Sequence, residues 1–323
     1  MPEGYEKLRL KKTFSALFFG LPGNGKTTIA KAIARYFFDK YREQILRYAK
    51  GNFIAVLGPE MHHHLWGVAE SCLRDAVNGA QKLHDLTGAP VTLFFDDCES
   101  LFVSRGATEH FSPNMDMVNQ FNTLIEGVRG LHGVNIIAAT NRIDLMDPAV
   151  VARFGTQKRI NPPQTPEAAG QILTKLLRDV PFEAPGSGAT IERFVEDIFA
   201  KNANNELLEI HFEDEDDTDT IYLHQLLSGR LLRDVVTRAK IIAKDRIKVL
   251  QPEERIWELS AEDLRQSLDR ELRAKEALPT TRQQVLEWLR QKGDRREVDD
   301  VVNLREHRRM EAKRDRLADR RTQ

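Results

Sequence analysis

An α/β fold, with a parallel sheet flanked by helices and then a mostly helical domain carrying an inserted β-hairpin, is predicted by three features of this 323-residue chain. Short apolar runs alternate with helix-period segments from Thr13 to Ile160, the pattern of strands joined by crossover helices. Asn161-Pro162-Pro163-Gln164-Thr165-Pro166 then changes the character of the chain, because prolines stop a strand and Thr165 can cap a new helix. Beyond it helical periodicity dominates, interrupted once by two alternating runs.

The strands of the first domain are read at Phe14–Phe19, Phe53–Leu57, Val91–Phe95, Val134–Ala139 and Gln157–Ile160. Between them Ile29, Ile33 and Phe37 recur at fours, and Met115, Val118, Phe121 and Ile125 at threes and fours, as one buried helix face requires. In the second domain Leu231, Leu232, Val235, Val236, Ala239 and Ile242 form a wide apolar stripe. Leu207–Phe212 and Ile221–Leu223 alternate like strands around the acidic run Glu213–Asp219, which reads as a hairpin among helices. From Asp294 onward ten Lys and Arg stand against eight Asp and Glu, so this end is expected to be a charged helical or frayed tail without a packed core. The expected domains are residues 1–163, 164–293 and 294–323.

The 48 Lys and Arg nearly cancel 49 Asp and Glu, so no overall basic character draws in nucleic acid. Cys72 and Cys98 are too few for a disulfide framework and lack the spaced Cys or His partners of a zinc site. No apolar stretch approaches the ~20 residues of a membrane span, and Met1–Lys12 has no signal-type apolar segment. A cytoplasmic protein without a membrane partner is expected.

Gly20-Leu21-Pro22-Gly23-Asn24-Gly25-Lys26-Thr27 fits G-x-x-x-x-G-K-[ST] and lies between an apolar strand and a helix, the context of a P-loop. Glycines let successive backbone N–H groups curl around phosphates, the helix N-terminus adds its positive end, and Lys26 neutralises phosphate oxygens. Gly20, Pro22, Gly23, Asn24, Gly25, Lys26, Thr27 and Thr28 are therefore the candidate nucleotide-binding residues. A P-loop NTPase sheet binding ATP with Mg²⁺ is the expectation, with Thr27 supplying a hydroxyl to the metal. Val91–Phe95 ends in Asp96 and Asp97 at the edge where ligands of open α/β sheets sit. Asp96 is the second candidate metal residue and Asp97 the candidate for orienting the attacking water. Asn141, ending the next apolar run, is a candidate for binding that water or the γ-phosphate, although Asn also commonly begins a turn.

With these elements in order, Thr13 to Lys248 resembles the AAA family of ATPases, Ile136–Val151 matching its second region of homology with Asn141 at the sensor-1 position. A narrower resemblance, to the proteasome-associated ATPases of actinobacteria (Mpa/ARC), rests on Leu93–Gly106, on Gly58-Pro59-Glu60, and on the strand pair around 207–223 leading into Ser228-Gly229-Arg230. The resemblance implies a nucleotide site under a helical lid, and a ring oligomer, hexameric in that family, that unfolds or remodels a protein substrate as a chaperone does. Arg153 is then the candidate arginine finger for a neighbouring site, against an alternative as a surface ion pair. Arg230 is either a second nucleotide sensor or a solvated helix arginine.

The chain departs from the family pattern at several points. Asp97 stands where Glu is usual, shortening the side chain by a methylene, so slow hydrolysis is expected; Glu99 either compensates or takes the family's second acidic position. Only one arginine, Arg153, remains where two are usual. Trp66, after His62-His63-His64-Leu65, is shifted by one position from the pore-loop aromatic and is read either as a pore residue or as core. Arg230 replaces a more usual Ala. Only 19 residues precede Gly20, so a module without the family's N-terminal coiled coil and OB domains is expected, and Arg320–Gln323 lacks the tail that docks a proteasome. The competing functional reading is an ATP-regulated assembly scaffold with weak or no hydrolysis.

Overall fold

The computed structural model describes residues 14–58, 68–102, 118–123, 133–182, 187–213, 218–274, 282–292, 294, 296–304, 307, 308 and 310. Trp66, the three histidines before it, Pro59 and Glu60, residues 103–117, the hairpin tip 214–217 and the C-terminal 311–323 lie outside the described residues. The chain separates into two compact units, residues 1–160 and 161–323.

The first unit is built on a parallel sheet of β1 (Ser15–Phe19), β2 (Phe53–Leu57), β3 (Val91–Asp96), β4 (Val134–Thr140) and β5 (Thr156–Arg159), in the order β2-β3-β4-β1-β5. The central strands read as continuous apolar runs because both faces are covered. On one face Leu17, Leu93, Phe95, Ile136 and Ala138 pack with Leu73, Val77 and Ala80, which lie on the helix Val68–Thr87. On the other, Ala16, Phe18, Phe94, Ile137 and Ala139 pack with Ala30 of helix α1 (Lys26–Lys40). β5, Thr-Gln-Lys-Arg, is largely exposed at the sheet edge.

In the second unit, Thr165 accepts a hydrogen bond from the Ala168 N–H at 3.3 Å and Pro166 occupies the first turn of the helix Pro166–Leu176, a local start signal independent of tertiary contacts. Helices Ser187–Phe199, Gly229–Lys248, Ala261–Ala274 and Arg282–Lys292 follow. Ser228 caps Gly229–Lys248 through the Leu231 N–H at 3.1 Å, and the buried stripe includes Leu231, Leu232, Val235, Val236, Ala239 and Ile242. β6 (Glu206–Phe212) and β7 (Thr218–Tyr222) form the antiparallel hairpin.

The charged C-terminal segment differs from the helical or frayed tail that its sequence suggests. Val298–Asn303 is a strand, β8, paired antiparallel with β6 in a three-stranded sheet ordered β7-β6-β8, and Val298 is fully buried. Some of the charges near it pair with the hairpin, while Asp299 and Asp300 are exposed. Arg296 bonds Asp219 of β7 at 2.9 Å and Asp294 at 2.7 Å while its guanidinium lies over the Phe212 ring, and Arg282 pairs with Glu213. The acidic end of the hairpin thus recruits the basic residues that follow it. Among the described residues no helix is long and apolar enough to cross a membrane.

Candidate functional site

The loop between β1 and α1 is made by glycine. Gly23 and Gly25 adopt φ of 82° and 91°, and Gly25, in the left-handed region, starts α1 without a side-chain cap, so the first N–H groups of the helix keep their hydrogen-bonding capacity for an anion. Gly20 packs against the end of β5 so closely that a Cβ there would lie 2.6 Å from the Ile160 carbonyl oxygen. Asn24 ties the loop to the same carbonyl, its Nδ2 donating at 3.1 Å, while its buried Oδ1 has no protein partner. Pro22 and Thr28 are exposed at the loop and in the first turn of α1.

Lys26 is the centre of the arrangement. It is only 7% exposed, and its Nζ donates to the carbonyls of Gly20 at 2.8 Å and Leu21 at 3.0 Å and to Asn141 Oδ1 at 2.7 Å. Thr27 Oγ1 donates to Asp96 Oδ2 at 2.9 Å. The strand order explains these meetings: β4 lies between β1 and β3, so Asn141, just past the end of β4, falls between the loop after β1 and the acids ending β3. Asn141 Nδ2 donates to Asp97 Oδ1 at 3.1 Å. Lys26, Thr27, Asp96, Asp97 and Asn141 are thereby brought together at one sheet edge.

Two features of this site were hidden in the sequence. Asp97 has φ 49° and ψ 47°, the one non-glycine left-handed residue among those described. Asp tolerates this conformation better than most residues, and such backbone recurs where a side chain must be aimed. Glu99 joins the site directly: its Oε1 accepts from the Asn141 backbone N–H at 3.2 Å, and its buried Oε2 has no protein partner. The signal available was spacing, since the 3-10 turn Cys98–Ser100 returns an acid three positions after Asp96 to the strand end.

The electrostatics are those of a cation-accepting site. Burial pulls the Lys26 ammonium below the usual lysine value, against the upward pull of Glu99, Asp96 and Asp97. Burial also raises the Asp97 carboxyl above the usual range, with Glu99 and Asp96 adding to the rise and Lys26 opposing it. Three carboxylates facing one ammonium leave an excess of negative charge beside hard oxygen donors, a set that suits Mg²⁺ held jointly with phosphates rather than in a protein cage. Thr27 Oγ1 and Asp96 are the residues that would hold it.

Two further candidates lie on other elements. Arg153 is half-buried at the end of the helix Pro148–Arg153, and its carbonyl oxygen accepts from Ser15 Oγ at 3.4 Å. Arg230 is exposed in the first turn of Gly229–Lys248, in the second unit.

Comparison with known proteins agrees with the geometry. Residues 16–162 match the model of the ATPase family associated with various cellular activities (AAA), and residues 166–322 match the ARC, AAA+ ATPase lid domain. A protein from Kocuria rhizophila named "AAA ATPase forming ring-shaped complexes" is 32% identical over 321 residues, 95% of this chain and 55% of that protein. Proteins named "Proteasome-associated ATPase" from Arthrobacter sp. strain FB24 and Mycobacterium avium strain 104 are each 33% identical, covering 87% and 80% of this chain and 48% and 45% of theirs. The chain spans about half the length of these curated relatives. With its phosphate loop, its paired acids and its polar β4 terminus on one sheet edge, followed by a lid of the ARC type, the chain belongs to the AAA family of ATPases.

Proposed function

We propose that the chain is the ATP-hydrolysing module of a homo-oligomeric ring, hexameric by analogy, that remodels or unfolds a protein substrate in the cytoplasm. The observation that carries this reading is the continuous hydrogen-bonded path from Lys26 through Asn141 to Asp97. The backbone N–H groups of residues 23–27 and Lys26 bind the phosphates, and Thr27 and Asp96 would hold a Mg²⁺ that would supply further neutralisation of phosphate charge. Asp97 holds and polarises the attacking water. Asn141 fixes the direction of that carboxylate while its other end faces the ammonium. Arg153 reaches a neighbouring copy's site as a finger, a contribution of about 10³–10⁵ in rate in enzymes that use one; Arg230 senses the nucleotide from the lid.

A scaffold that binds ATP and assembles but hydrolyses slowly is the second reading, and the shortened Asp97 side chain favours it. Left-handed backbone at this position is less costly for Asp than for Glu, so the shorter acid suits the turn even as it retreats from the phosphate. ATP turnover measured across a protein concentration series separates the two. Turnover that rises with assembly and disappears in Lys26→Ala supports the motor. Tight ATP binding with negligible turnover, restored by Asp97→Glu, supports the scaffold. Unchanged ATP binding in Lys26→Ala removes both.

A further inference from the structure

Asn141 lies one residue beyond β4, and the β3–β4 pairing ends at Phe95 opposite Ala138. Its backbone N–H is met by a side chain instead of a strand: Glu99 Oε1 accepts it at 3.2 Å. The next N–H, that of Arg142, goes to Thr140 Oγ1 at 3.0 Å. The two peptide groups flanking the Asn141 Cα are thereby both held, which sets its two soft dihedrals and the direction of its side chain. That direction matters because the one amide must reach Lys26 Nζ at 2.7 Å and Asp97 Oδ1 at 3.1 Å together.

Glu99 is itself firmly placed. The Ser100 N–H and Oγ both donate to the Asp97 carbonyl, at 3.1 and 2.8 Å, and the Leu101 and Phe102 N–H groups donate to the Cys98 carbonyl at 3.0 and 3.1 Å. Cys98, Leu101 and Phe102 are buried in the core against the sheet, so the turn that carries Glu99 is anchored on both sides of it.

The carboxylate is an uneconomical choice for stability alone. Oε1 receives one neutral N–H and Oε2 is buried with no protein partner, a small return for taking a charge out of water. Its influence falls on the site: the Glu99 charge raises the Lys26 ammonium more than Asp96 or Asp97 does.

We propose that Glu99 is a positioning residue for ATP hydrolysis, fixing the Asn141 backbone so that its side chain spans Lys26 and Asp97. Glu99 acts through Asn141 and not on the reacting atoms. What it supplies is an acceptor oxygen at one particular reach from the turn. This role rests on the hydrolysis proposed above and adds a residue to it.

Two conservative variants separate the reach of that oxygen from its charge. Glu99→Gln keeps an acceptor oxygen at the same reach without the charge, whereas Glu99→Asp keeps the charge and draws the oxygen back by one methylene. Glu99→Asp is expected to lower kcat about 10–100-fold, the cost of a misplacement near an ångström, with KM for ATP within a few fold. Glu99→Gln is expected to turn over at least about fivefold faster than Glu99→Asp. Combined with Asn141→Ala, Glu99→Asp should cost nothing further, since one residue acts through the other. Losses that multiply in the double variant would give Glu99 an action of its own on water or metal and overturn the positioning role, leaving hydrolysis standing. Glu99→Asp faster than Glu99→Gln, unchanged turnover in Glu99→Asp, or loss of the folded state by thermal melting in either variant also overturns it. Absence of ATP turnover in the unmodified chain overturns the proposed hydrolysis and this role with it.

Discussion

Asn141 Oδ1 accepts a hydrogen bond from Lys26 Nζ at 2.7 Å across 115 positions of sequence. The same amide donates through Nδ2 to Asp97 Oδ1 at 3.1 Å, and the Asn141 backbone N–H is held by Glu99. One planar group thus couples the Lys26 ammonium to the Asp97 carboxylate, so a change at either end is felt at the other.

Asn141→Ala removes both contacts and leaves the phosphate loop and Lys26 in place. ATP turnover is expected to fall about 10²–10³-fold, the cost of losing one positioned polar group at a reacting centre. Nucleotide affinity is expected to stay within a few fold. Parallel measurement of kcat and of ATP affinity by titration checks the split; equal losses in both would assign Asn141 to binding.

The raised Asp97 carboxyl makes activity and stability run oppositely with pH. An acid whose folded value lies above its unfolded one takes up its proton more readily in the folded chain, so its contribution to stability diminishes as pH rises from the usual carboxylate range through the raised value. In the proposed mechanism turnover needs the carboxylate, so it is expected to rise over the same window. The acid limb of the turnover profile is expected above the usual carboxylate range, and Asp97→Asn should lose both that limb and most activity. Turnover and thermal melting recorded over one pH series test the opposition.

Gly58 and Gly79 are expected to respond oppositely to alanine. A Cβ at Gly58 would meet Ser100 Oγ and lie 2.5 Å from the Asp97 carbonyl oxygen, whereas one at Gly79 meets nothing within 4 Å. Gly58→Ala therefore displaces the turn that aims Asp97, lowering both turnover and melting temperature. Gly79→Ala, within the helix Val68–Thr87, should stabilise by about 0.5–1 kcal/mol. Denaturant unfolding with turnover assays on both variants decides.

In the second unit, Asp263 Oδ2 accepts from the Ser260 N–H at 2.9 Å, Ser260 Oγ at 2.8 Å and Arg246 Nη2 at 2.9 Å, and Oδ1 accepts from Arg246 Nε at 3.2 Å. Burial alone would raise this carboxyl, but the bonds from Arg246 and Ser260 outweigh it and hold the group below the usual carboxylate value. Its stabilisation is accordingly complete above that usual value and is lost as pH falls through the depressed one. Asp263→Ala should cost about 2–4 kcal/mol at neutral pH, and the difference from the unmodified chain should shrink in acid. Denaturant unfolding at neutral and acidic pH tests this.

Much of the fold was legible because its signals are local. Leu93, Phe94 and Phe95 announce a strand buried on both faces, Thr165 and Pro166 announce a helix start, and the Gly20–Thr27 spacing announces a phosphate loop between strand and helix. The β6–β7 pair was equally readable, since its strands are neighbours in the chain. β8 was not. Val298 and Val301 sit among charges, and the Asp219 that Arg296 pairs with lies 77 residues earlier, so no periodicity within residues 294–303 reveals that pairing.

The amino-acid sequence by itself determined the parallel sheet, the phosphate loop and the identity of the charged groups offered to a nucleotide, because each is written in contiguous residues. Only the tertiary structure decided that β4 lies between β1 and β3, which places Asn141 between Lys26 and Asp97. It also decided that Asp97 turns through left-handed backbone, that Glu99 accepts from the Asn141 backbone N–H, and that the charged end adds a strand to a sheet. Strand order and long-range pairing are set by packing among segments distant in the chain, and that packing is settled by the whole core at once rather than by any one window of residues.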